Sequence, residues 1–181
     1  MRKILAIFVI FSLITACGTE SNQETPSPSI STSASPTYDF TTDPAILGPD
    51  LQMYLNSLGN IGVLENEVVG LFDAVSGPNF QGTAQLLKQL ELIIPKARSF
   101  LEQLEKIETK HPEIEHFHSS YVGIWQEQVS AFEGMKDAIE SENESELQNQ
   151  AARIESARSR IAPLQLELQA LAEYAGVDIV F

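Results

Sequence analysis

The stretch IEHFHSSYVGIWQEQVSAFEGMKDAI, residues 114–139, decides the fold class. Its apolar side chains recur at alternating spacings of three and four residues, the period of one face of an α-helix. This face comprises Ile114, Phe117, Tyr121, Ile124, Gln128, Ala131, Met135 and Ala138. A second row repeats every seven residues beside it: His118, Trp125, Phe132 and Ile139. So broad an apolar face is typical of a helix in a bundle.

The same helical period continues on both sides of this stretch. Because the connections are short, successive helices are expected to run antiparallel. The sequence therefore predicts an all-α, up-down-up-down four-helix bundle over residues 44–181. The four predicted helices begin at Gly48-Pro49-Asp50, near Thr83, at His111-Pro112 and between Ser141 and Asn143, and they end at Gly77-Pro78, near Thr109, near Ser141 and at Gly176.

Proline and glycine residues interrupt the helical pattern at several points. Pro95 and Pro163 each remove one backbone hydrogen bond, and a kink is expected at both. Gly59, Gly62 and Gly70 weaken the first helix by about 1 kcal/mol each relative to Ala. We expect close packing of a neighbouring helix at these glycines; the alternative is flexibility in a ligand-gated helix.

Local signals mark the two ends of the fourth helix. Either Ser141 with Glu144 or Asn143 with Glu146 would form a capping box at its start. After Gly176, the apolar tail at residues 177–181 is expected to fold back over one end of the core. An exposed partner motif is the alternative role of this tail.

The first 17 residues have the features of an export signal. Arg2 and Lys3 precede an apolar run of 11 residues, ILAIFVIFSLI, at positions 4–14. A transmembrane helix needs about 20 residues, so this run has instead the length of a secretory signal core. The following Ile14-Thr15-Ala16-Cys17 resembles the lipobox of bacterial lipoprotein signal peptides. An ordinary signal peptide followed by a free cysteine is the alternative.

The resemblance implies a lipid anchor at Cys17. In that family, diacylglycerol is transferred to the cysteine sulfur, the chain is cleaved before the cysteine, and the new amine is acylated. Two or three acyl chains give stable anchoring, whereas one chain binds a membrane reversibly. Gly18 in place of Asp favours the outer membrane in a host with two membranes. In a host with one membrane, the protein is expected on the outer face of the cell membrane.

Residues 17–43 are predicted to form the lipidated end and a disordered linker. Ser, Thr and Pro make up 15 of the 26 residues at positions 18–43. Such a composition buries too little apolar surface to offset the entropy of ordering. Tyr38 and Phe40 are the exception, and we expect them to dock on the bundle; a short recognition strand is the alternative.

The composition excludes several classes of function. Asp and Glu number 25 against 11 Lys and Arg, a net charge of −14, so nucleic acid and anionic membrane surfaces would repel the chain. The single cysteine excludes a disulfide framework and any multi-cysteine metal site. The chain contains no Gly-x-Ser-x-Gly elbow and no Gly-rich phosphate loop. We therefore expect no enzymatic activity and no cofactor.

All three histidines lie within residues 111–118. Since no other segment supplies a histidine, a di-iron centre of the ferritin type is excluded. Glu115 and His118 are candidate ligands of a single zinc or copper ion, but we favour a half-buried His118 hydrogen-bonded to a neighbour. The carboxylate pairs are interpreted as solvated surface: Glu65/Glu67, Glu102/Glu105 and Glu113/Glu115.

Four side chains of the third helix are candidate residues for binding a flat apolar ligand: His118, Tyr121, Trp125 and Phe132. Core packing is the alternative that we favour for them. Residues 107–176, with His118 opening a long helix, also resemble helical domains of uncharacterised bacterial lipoproteins. That resemblance implies no particular activity.

Taken together, these features predict an exported lipoprotein tethered to a membrane through Cys17. Its acidic bundle is expected to act as a non-enzymatic module for interaction with an envelope protein or for envelope support. The alternative function is binding or sensing of a small apolar ligand or a single metal ion within the bundle.

Overall fold

The computed structural model describes residues 38–179, which contain α-helices and no strand. A single turn of 3₁₀ helix, Gly77–Asn79, lies in the first connection. The predicted export signal, Cys17 and residues 17–37 of the predicted linker lie outside the described residues. The α-helices are α1 (Pro44–Asp73), α2 (Thr83–Glu105), α3 (Pro112–Glu140), α4 (Glu144–Ser159) and α5 (Ile161–Ala175).

The helices form a four-membered bundle in which α4 and α5 together make the fourth arm. Along the chain, α1 packs on α2, α2 on α3 and α3 on α4, and α5 closes the ring against α1. Arg98 pairs with Glu133 whereas Gln126 bonds to Glu105, so α2 and α3 run in opposite directions. The predicted all-α four-helix bundle is confirmed over the described residues.

The first helix begins four residues before the predicted Gly48-Pro49. Asp43 caps it, since its Oδ1 accepts a hydrogen bond of 2.8 Å from the backbone N–H of Ala45. Pro44 occupies the first helical position, where the missing N–H costs nothing. Pro49 therefore lies inside α1, and the predicted start of this helix is wrong.

The two prolines at which a kink is expected, Pro95 and Pro163, have different outcomes. At Pro163 the expected interruption is confirmed, because the fourth arm breaks into α4 and α5 at Arg160, three residues earlier. The ring of Pro163 would clash with the carbonyl of Ser159, and its nitrogen has no hydrogen to donate to it. At Pro95 the structure shows no interruption, since α2 is continuous from Thr83 to Glu105.

Both ends of the fourth arm follow local rules. Asn143 caps α4, since its Oδ1 accepts from the N–H of Glu146 at 3.1 Å. The predicted capping box is not completed, because the N–H of Asn143 bonds to the carbonyl of Ala138 and not to the side chain of Glu146. At the other end Gly176 has φ +66°, and the N–H of Val177 reaches the carbonyl of Ala172 at 2.9 Å. This is the Schellman arrangement that favours glycine.

The predicted apolar face of α3 forms the centre of the core. Seven of its eight positions are buried, and Tyr121 is partly buried. Trp125 and Phe132, from the adjacent row, are each 1% exposed. A bundle helix that contacts both of its neighbours needs such a wide buried face.

Close helix packing occurs at other glycines than expected. A Cβ added to Gly62 or Gly70 would meet no atom within 4 Å, so our expectation for these two is wrong. A Cβ on Gly48 would instead lie 2.7 Å from the carbonyl oxygen of Ala175, where α1 meets the end of α5. One on Gly134 would lie 2.6 Å from the side chain of Gln150.

Chain segments at both termini pack on the bundle. Tyr38 stacks on Phe40 with a centroid distance of 5.8 Å, and Phe40 contacts Tyr174 at 5.2 Å. The predicted docking of Tyr38 and Phe40 is thus confirmed. Val177 and Ile179 are partly buried against the core, while residues 180–181 lie outside the described residues. Within residues 38–179, no helix is both long and apolar enough to cross a membrane.

Candidate functional site

A partly buried carboxyl group faces the bundle interior, at a position where the other residues of α1 are apolar. The buried residues of this helix recur every three or four positions, but Ile61 and Val68 are seven apart. Glu65 occupies the intervening position of the same stripe. Its side chain is therefore directed into the core, and our interpretation of Glu65 as part of a solvated carboxylate pair is wrong. Its partner Glu67 is exposed, as expected.

Two side chains of α3 direct N–H and O–H groups at this carboxyl. The hydroxyl of Tyr121 donates a short hydrogen bond to Oε1 of Glu65. The indole Nε1 of Trp125 faces the same pair but has no well-aligned acceptor among the described residues. Phe100 of α2 covers the site, with its ring centroid 4.5 Å from that of Trp125.

Burial shifts both titrating groups toward their neutral forms. Removal from water raises the pKa of Glu65, and the donors Tyr121 and Trp125 only partly oppose this rise. Burial also raises the pKa of Tyr121, and the neighbouring carboxyl raises it further. Burial thus disfavours the charged form of each group, and the hydrogen bond from Tyr121 partly offsets this for Glu65.

A second polar pair lies beside the first. The hydroxyl of Tyr54 and Nδ1 of His118 are 3.2 Å apart, and the two rings meet edge to face at a centroid distance of 5.7 Å. Burial raises the pKa of Tyr54 and lowers that of His118, so the imidazolium cation is disfavoured. We refer to Tyr54, Glu65, His118, Tyr121 and Trp125 as the buried polar cluster.

The cluster contains three of the four predicted ligand-binding residues. Phe132 lies apart from them and packs against Phe72, with a centroid distance of 5.1 Å. Glu115, the other candidate metal ligand, is exposed on α3 whereas His118 is half-buried against Tyr54. Within residues 38–179, no three His, Cys, Asp or Glu side chains are grouped to hold a metal ion.

An open groove of about 320 Å³ lies next to the cluster. Tyr54 forms part of its wall, together with Met53 of α1 and Ile107 of the connection between α2 and α3. The carboxylate of Asp50 at its edge is paired with basic side chains. Lys110 and His111 contact its two oxygens at 3.0 and 2.9 Å. The hydrogen bond from Lys110 is the main cause that lowers the pKa of Asp50.

A second carboxylate holds the N-terminal segment on the bundle. Oε1 of Glu113 accepts hydrogen bonds from the N–H groups of Thr41 and Thr42 at 2.9 and 2.8 Å. The two threonine hydroxyls donate to the same carboxylate at 3.1 and 2.8 Å. Burial opposes ionisation here, but the hydrogen bonds outweigh it and lower the pKa of Glu113 to about 2. Glu113 thus clamps the N-terminal segment to α3, a role that we did not predict when we interpreted Glu113 as solvated surface.

The inward-facing position of Glu65 could have been predicted from the sequence. The stripe Leu51, Leu58, Ile61 and Val68 of α1 places residue 65 at a core position of the helical repeat.

A comparison of the chain with protein-family models, with curated proteins and with solved structures gives no match.

Proposed function

We propose that the protein is an exported lipoprotein, anchored through acylated Cys17, whose bundle is a non-enzymatic interaction or envelope-support module. One observation carries this proposal. The only cysteine of the chain follows Ile14-Thr15-Ala16 at the end of the 11-residue apolar run at positions 4–14. Small residues before a single cysteine at this place are what the lipobox resemblance requires.

The attachment of the N-terminal segment determines the end of the bundle from which the linker leaves. Glu113 and Tyr174 hold Thr42, so the linker meets the bundle where α1 and α3 begin and α5 ends. The 30 residues of α1 span about 45 Å from this end. The connection that contains Phe80, which is 49% exposed, lies at the opposite end. In an anchored protein, the linker would therefore be attached at the end of the bundle opposite to Phe80.

Fractionation of cells that express a Cys17→Ser variant tests the anchor. The proposal predicts that the wild-type chain fractionates with membranes and incorporates a labelled fatty acid. The Cys17→Ser variant should lose the label and either leave the membrane fraction or remain unprocessed. Thr19→Ser, two residues away, is the matched control and should behave as wild type. Normal processing and unchanged membrane fractionation of Cys17→Ser would refute the proposal.

A second candidate function is binding of a small apolar molecule. The groove of about 320 Å³ favours it, because Tyr54 in its wall bonds to His118 of the buried polar cluster. Pockets for small molecules start at about this size. Binding should change the fluorescence of Trp125 or raise the Tm of the full chain across a panel of small apolar molecules, Zn²⁺ and Cu²⁺. Flat responses across the whole panel would eliminate this function.

A further inference from the structure

We propose that the Glu65 carboxyl is a proton-binding site at the contact between α1 and α3. It joins the two helices through the hydroxyl of Tyr121, and its ionisation places a negative charge in this apolar contact. The proposal does not depend on Cys17 or on a lipid anchor.

The geometry of the site suits a neutral acid. Glu65 lies between apolar neighbours of its own helix, and Phe100 of α2 packs over the two rings of α3 that face it. Both α3 groups at the carboxyl, the hydroxyl of Tyr121 and the indole N–H of Trp125, are uncharged donors. A carboxylate in such a place would carry a full charge without a cation, which is costly in a low-dielectric interior.

Three basic side chains of the surrounding helices are engaged elsewhere. On α2, Lys96 pairs with Glu67 and Arg98 with Glu133. On α4, Arg158 pairs with Asp73 and its guanidinium lies over the ring of Phe72. These ion pairs lie at the surface and leave the carboxyl of Glu65 to its uncharged donors.

On α3 and at the end of α4, the remaining titratable groups do not supply a cation either. His118 lies beside Tyr54, and burial lowers the pKa of its imidazole and so disfavours the cation. Arg160, which precedes α5, pairs with Glu127 of α3. None of these groups pairs with Glu65, so its ionisation leaves an unpaired charge where α1 meets α3.

The sign of the pH dependence follows from linkage. Below the ordinary pKa of a glutamate, the carboxyl is protonated in both the folded and the unfolded chain, and it contributes no pH dependence. Above that pKa the unfolded chain loses the proton first, so the folded chain binds more protons and stability falls as the pH rises. One such group lowers the folding equilibrium constant by up to tenfold for each pH unit, until the folded carboxyl itself ionises.

Urea unfolding of the full-length chain in mild detergent, at pH 5, 6, 7 and 8, tests the site. Trp125 is the only tryptophan, so its fluorescence reports on the bundle next to Glu65. Glu65→Gln keeps an oxygen that accepts from Tyr121 but cannot ionise. Glu67→Gln, two residues along α1, removes an exposed carboxylate and is the matched control. Repulsion among the many other acidic groups is common to all three chains and cancels in the comparison.

We expect the wild-type unfolding midpoint to fall relative to that of Glu65→Gln as the pH rises, and the Glu67→Gln midpoint to follow wild type. Parallel pH profiles of wild type and Glu65→Gln would overturn the proposal. If Glu65→Gln does not fold, NMR titration of the wild-type chain replaces it, and the chemical shifts of the side-chain carboxyl carbons of ¹³C-labelled glutamates are followed against pH. One resonance should titrate well above the others, and its response should change in Tyr121→Phe. Ordinary titration of every glutamate would overturn the proposal.

Discussion

The pairing of Glu65 with Tyr121 can be tested by a double-mutant cycle made of Tyr121→Phe, Glu65→Leu and the combined variant. Tyr121→Phe removes the hydroxyl that bonds to the buried carboxyl, and it changes the ring hardly at all. Glu65→Leu removes the acceptor and leaves the phenol hydroxyl in the core. The combined variant replaces the whole pair by apolar groups of similar volume.

The expected free energies follow from the burial of both groups. Leaving a buried donor or acceptor without its partner costs about 1–3 kcal/mol, so Tyr121→Phe should lower the free energy of unfolding by this amount. In Glu65→Leu a similar loss is partly offset by the added apolar side chain. The combined variant leaves neither group unpaired, and its stability should equal or exceed that of wild type. The coupling between the two substitutions equals the sum of the two single losses and is therefore at least about 1–3 kcal/mol in favour of the double variant.

Urea denaturation at pH 5, followed by Trp125 fluorescence and by circular dichroism, measures these values. With an m-value of about 2 kcal/mol/M, Tyr121→Phe should shift the midpoint by about 1 M. Tyr38→Phe removes a hydroxyl from the docked N-terminal segment and should leave the midpoint in place. Losses that simply add in the combined variant would refute the pairing.

Two further predictions concern the packing of α1 and of the N-terminal segment. Gly62→Ala should stabilise the bundle by about 0.5–1 kcal/mol, because the added methyl group meets open space in a helix interior. Gly48→Ala should be about 1–3 kcal/mol less stable than Gly62→Ala, because its Cβ would lie 2.7 Å from the Ala175 carbonyl oxygen; equal urea midpoints for the two variants would contradict the close approach of α1 and α5. Glu113→Ala should speed hydrogen exchange of the Thr41 and Thr42 amides, whereas Glu115→Ala, at an exposed position one half-turn away, should not. Because hydrogen bonding lowers the pKa of Glu113 to about 2, the clamp is present above the ordinary pKa of glutamate, and its contribution is lost as the pH falls through that value toward 2; loss of the amide protection already at pH 5 would argue against the clamp.

The fold could be predicted from the sequence because the residues that specify each helix lie close together along the chain. The apolar seam of α3 alone specifies a bundle helix, and Asn143 and Gly176 mark ends by capping rules that act within a few residues. The start of α1 was missed because two proline signals compete there. Asp43-Pro44 combines a cap with a first-turn proline, whereas Gly48-Pro49 supplies no side-chain cap.

Only part of the candidate site could be predicted from the sequence, because its polar residues come from two helices. The rings of Tyr121 and Trp125 belong to one visible seam, but Glu65 lies 56 residues before its partner Tyr121. In a chain this acidic, a glutamate is predicted to be solvent-exposed. Only the position of residue 65 in the helical repeat of α1 indicates otherwise. The contact of Glu113 with Thr41 spans 72 residues and has no sequence signal, since any exposed carboxylate at that end could accept the same bonds.

The central functional claim is the lipid anchor, and intact mass spectrometry of the protein extracted from its host's membranes tests it most directly. We predict a chain that begins at Cys17 and exceeds its polypeptide mass by a diacylglyceryl group, with a further acyl chain where the amine is modified. A chain that still begins at Met1, or one cleaved at another residue with an unmodified Cys17, would contradict it.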